Sequence, residues 1–207
     1  MFYQWLNLVI NFKNVTIQET FTAAEYALTN VIDQIKQDQW PMPMPANFAT
    51  RSKSEITLRE IVNYHAYDDA WVPDTLAGKT IEEVCSKYDG DLLGSEPKKS
   101  WHAITEAAIA AVNTADMEKI VHLTYGDYPT MEYLRHIISF RGLRAVDIAR
   151  VTGVNDQLPE ELAQSMYDLF APEAEAWRKM GVFKEEVSVP EDAPIQAKLL
   201  GMTGRQP

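Results

Sequence analysis

The chain has 207 residues, of which 46% are apolar and 24% are charged, as is ordinary for a globular protein with a sizeable core. A formal net charge of -11, without a dense cluster of lysine and arginine, argues against nucleic acid and acidic membranes as partners. One cysteine excludes an internal disulfide framework, and no apolar run approaches the roughly 20 residues that span a bilayer. These features predict a cytoplasmic protein without a membrane span.

Residues 1–14 differ from the rest of the chain. They are apolar but lack the basic region and the small-residue cleavage site of a signal peptide, so we interpret them as an N-terminal extension. Thr16 and Glu19 then form a candidate capping box. Apolar residues recur at helical spacing from there, which predicts a first helix that ends near Trp40.

The middle of the chain is predicted to hold two long helices. The first of them follows a capping box formed by Thr57 and Glu60, and we expect Pro73 to break or kink it. Residues 74–94 contain several glycines and leave room for a short helix only. The next long helix is predicted to begin at Pro97, because proline is well suited to a first turn.

The longest amphipathic run extends from Tyr128 to Gly153 and predicts a central helix. Before it, residues 119–125 alternate between apolar and polar side chains, which predicts a short strand. Asp127 and Thr130 are the candidate caps of the central helix, and Gly153 is a suitable end.

Prolines divide the C-terminal part of the chain. Pro159 and Pro172 each open a further predicted helix, and a strand at Val187 to Val189 and a last turn of helix follow. Together these elements predict a mainly all-α fold: a four-helix bundle at residues 15–153 with a short strand element. Residues 154–207 are predicted to form a helical C-terminal extension packed on the bundle.

The inward face of the central helix carries two unusual charges. Arg141 falls inside its apolar arc and Arg144 falls on the edge of that arc. Such arginines either cover neighbours with their stems or meet buried carboxylates or an anion. His136, Phe140 and Arg144 follow at intervals of one turn, with Asp147 close to the same line.

Two histidines are candidate functional residues. His65 lies on the inward stripe of the second helix, and Asp68 and Asp69 stand near it on the helix surface. His65 is either a core histidine satisfied by a hydrogen bond or a metal ligand or base, and the carboxylates are either its partners or a solvated face. His136 would suit a helical ligand pair, but the residue one turn on is Phe140.

Two segments resemble a known family. They are LREIVNYHAYDDAWVPDTLAGKTIEEVCSKYDGDLLGSEP and VHLTYGDYPTMEYLRHIISFRGLRAVDIARVTG. They resemble the actinobacterial branch of the DinB-like superfamily, which is similar to the N-terminal domain of mycothiol-dependent maleylpyruvate isomerase. The resemblance covers roughly residues 16–203, and its more specific pieces are DGDLLG at Asp89 to Gly94 and DIARxTG ending at Gly153. It implies a four-helix bundle.

The resemblance also implies a metal site, which this chain does not retain. Metal-binding members use a histidine at the end of helix two and an acidic-x-x-x-His pair on the later helix to hold a divalent metal, typically zinc. These three positions correspond to His65, Phe140 and Arg144. Phenylalanine cannot coordinate a metal, and a guanidinium is a permanent cation. No cofactor is therefore expected, and zinc or another divalent metal is implied by the family alone.

The replaced ligands predict a different site. Arg144 is expected to occupy the vacated position and to pair with Asp68, Asp69 or Asp147. Arg141 would be a second inward cation, either paired or facing the pocket. Such a site either holds a carboxylate ligand without metal or is a structural ion-pair network.

Two functions are consistent with these residues, and neither assigns a catalytic residue. The first is an enzyme that performs thiol-assisted isomerisation or transfer on a small acidic molecule, with mycothiol as a co-substrate that the resemblance alone implies. The second is a non-catalytic small-molecule-binding or interaction protein, with a homodimer as one form, that kept the fold and lost the chemistry. Turnover with a thiol would favour the first.

Overall fold

A computed structural model describes residues 15–46, 48 and 55–207. The predicted extension at residues 1–14 lies outside the described residues. Within them the protein is mainly helical and contains a two-stranded antiparallel sheet. None of the helices in this part of the chain combines the length and the apolar character needed to cross a lipid bilayer.

Long helices alternate with shorter elements along the chain. Their bounds are α1 (Ile17–Asp33), α2 (Leu58–Ala77), α3 (Ile81–Val84), α4 (Pro97–Asn113), β1 (Ile120–Leu123), β2 (Gly126–Pro129), α5 (Thr130–Thr152), α6 (Glu160–Phe170), α7 (Ala174–Lys179) and α8 (Ile195–Met202). A 3-10 turn at Ala171–Glu173 joins α6 to α7. The predicted amphipathic segments are therefore confirmed as helices.

The predicted helix caps are confirmed at three positions. The side chains of Thr16 and Thr57 accept hydrogen bonds from the backbone N–H groups of Glu19 and Glu60. The two glutamates accept in return from the backbone N–H groups of the threonines, which satisfies donors that a helix start leaves unpaired. Gly153 ends α5 in the left-handed conformation, with φ 75°.

The first helix is shorter than predicted, because it ends at Asp33 instead of near Trp40. The Asp33 carbonyl accepts a hydrogen bond from Lys98 Nζ, and the N–H of Lys36 donates to the side chain of Gln39. These groups would bond within the backbone of a continued helix. Side chains therefore take the place of helical hydrogen bonds after Asp33, and periodicity alone does not reveal that exchange.

The strand predicted at residues 119–125 is confirmed as β1, and a second strand, which was not predicted, follows it before α5. β2 pairs with β1 so that Val121 lies opposite Tyr128. Tyr128 therefore belongs to a strand, and α5 begins at Thr130 without a side-chain cap. The predicted cap at Asp127 or Thr130 was wrong.

Two further local predictions differ in outcome. Of the break or kink expected at Pro73, the break does not occur, since α2 continues to Ala77. The strand expected at Val187 to Val189 was wrong. Residues 187–189 form no strand, although the N–H of Val187 donates to the carbonyl of Gly201. One hydrogen bond to a helix does not create a ladder, so alternation of apolar residues was an insufficient signal there.

The four longest helices pack against one another. α1 lies against α4 and α5, and α2 lies against α4. α6 covers α1 and α5, and α8 packs on α6, so the residues after 153 lie against the long helices. Gly142 permits the close approach of α6 to α5, because a Cβ there would collide with the Sδ atom of Met166.

Candidate functional site

Four polar side chains meet in the core and form what we call the buried ionic cluster. They are Glu25 of α1, His65 and Asp69 of α2, and Arg141 of α5, and each is at most 1% exposed. Burying charge at this depth is costly unless the charges are paired and hydrogen-bonded. The cluster therefore has to be satisfied internally, and Arg141 at its centre provides most of the contacts.

Arg141 bonds to both helices that face it. Its Nε donates to Asp69 Oδ1 at 2.8 Å, and its Nη2 donates to the same oxygen. Nη1 donates to His65 Nδ1 at 2.8 Å, and Nη2 donates to the His65 carbonyl at 3.3 Å. Nε also lies 3.1 Å from Glu25 Oε1. The predicted inward position of Arg141 is confirmed, and the residue is paired.

The two buried carboxyl groups differ in their electrostatic surroundings. Burial raises the pKa of Glu25 well above its ordinary range, and the neighbouring carboxylate of Asp69 raises it further. Burial also raises the pKa of Asp69, but Arg141 opposes this effect. Asp69 accepts hydrogen bonds from Arg141, whereas neither oxygen of Glu25 has a hydrogen-bond partner among the described residues. Glu25 is therefore the group whose ionised form the core disfavours more.

The state of His65 follows from its bond to Arg141. Burial lowers the pKa of His65 well below its usual value, and the charges of Arg141 and Arg144 lower it further. A guanidinium only donates hydrogen bonds, so Nδ1 accepts and the ring proton lies on Nε2. This Nε2 is buried and has no hydrogen-bond partner among the described residues. His65 is thus a neutral imidazole whose Nε2–H can donate a hydrogen bond.

A cavity of about 600 Å³ lies beside the cluster, between α2, α5 and the C-terminal segment, and we call it the basic pocket. Its lining includes His65 and three cations, Arg144, Lys184 and Arg205. No carboxylate is among the lining residues that the structure describes. Buried Leu143 and Phe183 add apolar walls.

Arg144 and Arg205 both contact one carboxylate behind this pocket. Arg205 donates from Nε and Nη2 to the two oxygens of Asp147, each at 3.0 Å. Arg144 Nη1 lies 3.5 Å from Asp147 Oδ2. Burial lowers the pKa of Arg144, as does the neighbouring charge of Arg205, while Asp147 opposes the shift. The predicted pair of Arg144 with Asp147 is confirmed.

A second cavity, of about 280 Å³, lies between α2, α5 and the β1–β2 hairpin, and we call it the aromatic pocket. Its lining includes Tyr67, Trp71, Tyr125 and Tyr133 together with the carboxylate of Asp68. Tyr64 and Phe140 line both cavities.

The residues predicted to form one ligand site are divided among these regions. His65 and Asp69 belong to the buried ionic cluster with Arg141, and Asp147 stands behind Arg144. Phe140 is exposed and contributes to both cavities. The aromatic pocket receives Asp68, His136 and Arg141, and the basic pocket receives His65 and Arg144.

The three positions that the resemblance assigns to a metal do not suit one. His65 presents a protonated Nε2, because Arg141 occupies its other nitrogen. Phe140 has no donor atom, and Arg144 is a cation that would repel the ion. No group of three or more histidine, cysteine, aspartate and glutamate side chains in the described part of the chain is arranged to hold a metal ion. A zinc ion does not fit this set of side chains.

Sequence reasoning missed Glu25, Lys184 and Arg205. Glu25 could have been found, because it stands four residues after Phe21 and three before Leu28, inside the apolar stripe of α1. Lys184 and Arg205 lie in irregular segments that carry no periodic signal. Their position at the basic pocket depends on how the C-terminal residues fold back onto α5.

Comparison of the chain with family models, with curated proteins and with solved structures gave no match.

Proposed function

We propose that this protein binds a small carboxylate in the basic pocket without the aid of a metal ion. The observation that carries the proposal is the convergence of Arg144, Lys184 and Arg205 on one cavity in a chain of net charge -11. An anion held there would gain from all three charges. Its binding would also relieve the mutual repulsion of the two guanidinium groups, which share Asp147.

Each lining group has a distinct part in this binding. Arg144 is 9% exposed, so its charge acts in a poorly screened environment and can form a forked pair with a carboxylate. Lys184 is exposed and supplies a mobile charge at the rim. The Nε2–H of His65 is a donor that a ligand oxygen would satisfy. The apolar walls suit a short carbon skeleton.

The proposal includes the fold. We infer that α1, α2, α4 and α5 form a DinB-like four-helix bundle on which the residues after 153 pack. Two observations support it: the mutual packing of these helices, and the placement of His65, Phe140 and Arg144 around one cavity, as in the resemblance.

The state of His65 favours binding over thiol-assisted isomerisation. A general base needs an available lone pair, and the lone pair of His65 Nδ1 accepts a hydrogen bond from Arg141. No other histidine, cysteine or carboxylate lines the basic pocket among the described residues. The proposed role is therefore a non-catalytic binding protein.

Isothermal titration with maleate tests the proposal, with acetate as a ligand that carries a single charge. We expect maleate to bind, and Arg144→Met and Lys184→Gln each to weaken it about tenfold, which corresponds to one lost charge contact of about 1.4 kcal/mol. Arg59→Met and Lys99→Gln are matched controls on surface ion pairs and should leave the affinity unchanged.

Two results would contradict the proposal. Equal maleate affinity in the Arg144 variant and the wild type would remove the basic pocket as the site. Conversion of maleate to fumarate in the presence of mycothiol would instead support the isomerase.

A further inference from the structure

The aromatic pocket has a composition unlike that of the basic pocket. Along α2, Tyr64, Tyr67, Asp68 and Trp71 follow at spacings of three, four and seven residues from the first, so they share one face of the helix. All four line the cavity. The carboxylate of Asp68 therefore lies among aromatic rings of α2. Residues of α5 and of the β1–β2 hairpin contribute further rings to the cavity.

The rings at this cavity are arranged as a partial cage. Tyr67 and Trp71 lie with centroids 6.1 Å apart at 58°, on the α2 side. Tyr125 and His136 lie 5.7 Å apart at 52°, on the side of the hairpin and α5. Because neighbouring rings are tilted and not parallel, they present faces in several directions.

Three aromatic side chains at this cavity are exposed to solvent. Tyr64, Tyr125 and Phe140 are 50%, 56% and 41% exposed. Exposed aromatic groups gathered around one cavity indicate a binding site more often than rings scattered singly do. A ligand seated among them would cover part of each ring.

The charges near the cavity sum to a negative value. Arg141 reaches the cavity from the core, but Asp69 is bonded to it and Asp68 Oδ2 lies 4.0 Å from its Nη1. One cation thus stands beside two carboxylates. Burial lowers the pKa of His136, so its ring is neutral at neutral pH and does not repel a cation.

We propose that the aromatic pocket binds a small organic cation that carries an alkylammonium group. Electron-rich ring faces attract such a cation, and quaternary ammonium groups are held in this way in aromatic cages. Asp68 supplies the counter-charge. The cavity of about 280 Å³ admits a headgroup the size of choline and excludes a bulky ligand.

This inference does not depend on carboxylate binding in the basic pocket. It rests on different side chains, apart from Tyr64 and Phe140, and on the opposite sign of charge. Failure of maleate to bind would leave it intact, and failure of choline to bind would leave the basic pocket intact.

Titration calorimetry of the full chain with choline tests the inference, with 3,3-dimethyl-1-butanol as the uncharged molecule of the same shape. We expect choline to bind at least about tenfold more tightly than the alcohol, because the alcohol lacks the charge that the rings attract. Asp68→Asn should weaken choline binding about tenfold and leave binding of the alcohol unchanged.

Tyr125→Leu removes a ring that is more than half exposed, so the variant is expected to fold, and it should also weaken choline binding severalfold. Tyr26→Leu removes a ring that is 52% exposed on α1, away from the cavity, and should have no effect. Equal affinity for choline and the alcohol would show a merely apolar pocket and overturn the inference. So would the absence of binding at millimolar choline, or unchanged binding in both pocket variants.

Discussion

Arg141 and Arg144 lie three residues apart on α5, and both point inward, yet their surroundings differ. Arg141 is 1% exposed, and its charge is compensated by Asp69 within the core. Arg144 borders a cavity with two further cations, and its partner Asp147 is shared with Arg205. The charge of Arg141 is thus paired inside the buried ionic cluster, whereas cations are in excess among the residues that line the basic pocket.

The difference separates a structural charge from a binding charge. A buried cation with several well-placed acceptors holds helices in one arrangement. Removing it leaves carboxylates in the core without a cation to pair with. A cation at a cavity wall that shares its anion is available to a ligand at little cost to the fold. Three predictions test this distinction.

Arg141→Met should have the largest effect. It would leave Asp69 without its donor in the core, and breaking a buried pair of this kind costs about 3–5 kcal/mol. Urea denaturation of the variant would measure the loss in the free energy of unfolding. Arg59→Met, which breaks a surface pair with Asp91, should change it by no more than about 1 kcal/mol. A similar small loss for Arg141→Met would show that the cluster contributes little.

Glu25→Gln should produce an effect that depends on pH. The folded state holds the proton of Glu25 to a higher pH than the unfolded state does, because the pKa in the folded protein is raised from its ordinary value of 4.5. The stability that this group contributes is complete below that value and is lost as pH rises towards the folded pKa. Glutamine imitates the protonated acid and does not titrate.

The variant should therefore gain stability relative to the wild type as pH rises through that interval, by about 1.4 kcal/mol per pH unit. Urea denaturation at a series of pH values above 4.5 would measure the difference. Glu60→Gln is a control whose difference from the wild type should not vary above pH 4.5, because the hydrogen bonds of Thr57 lower the pKa of Glu60 and confine its pH dependence to lower pH. A difference between Glu25→Gln and the wild type that does not vary with pH would show that Glu25 is ionised throughout.

Arg144→Met should have the smallest effect on stability, well below that of Arg141→Met, because Asp147 keeps both hydrogen bonds from Arg205. Thermal denaturation beside Arg141→Met would show the contrast. A loss as large as that of Arg141→Met would mean that Arg144 is also part of a structural network, and the distinction between the two residues would fail.

The sequence predicted the helical elements well where local signals decide them. The capping boxes at Thr16 and Thr57 and the end at Gly153 depend on neighbouring residues only, and all three are confirmed. The end of α1 at Asp33 could not be predicted, because the Asp33 carbonyl accepts from Lys98 of α4, which is distant in the sequence. Apolar residues continue at helical spacing past Asp33, but the N–H of Lys36 donates to the side chain of Gln39 and not to the helix backbone.

The candidate site was predictable in part for the same reason. Helical geometry placed Arg141 in the apolar arc, and the structure buries it. Which carboxyl groups contact Arg141 could not be derived. Glu25 and Asp69 lie on two other helices, and the sequence does not give the positions of those helices relative to α5. The basic pocket needed Arg205, which a chain fold-back brings to Asp147.

The ring of Phe140 forms a common wall of both cavities, as does that of Tyr64. A ligand that displaces this ring in one cavity necessarily reshapes the other. The two affinities are then thermodynamically linked. If the first ligand changes the affinity for the second by some factor, the second ligand changes the affinity for the first by the same factor. A single exposed phenylalanine would in this way couple two ligand sites whose lining residues share no charged side chain.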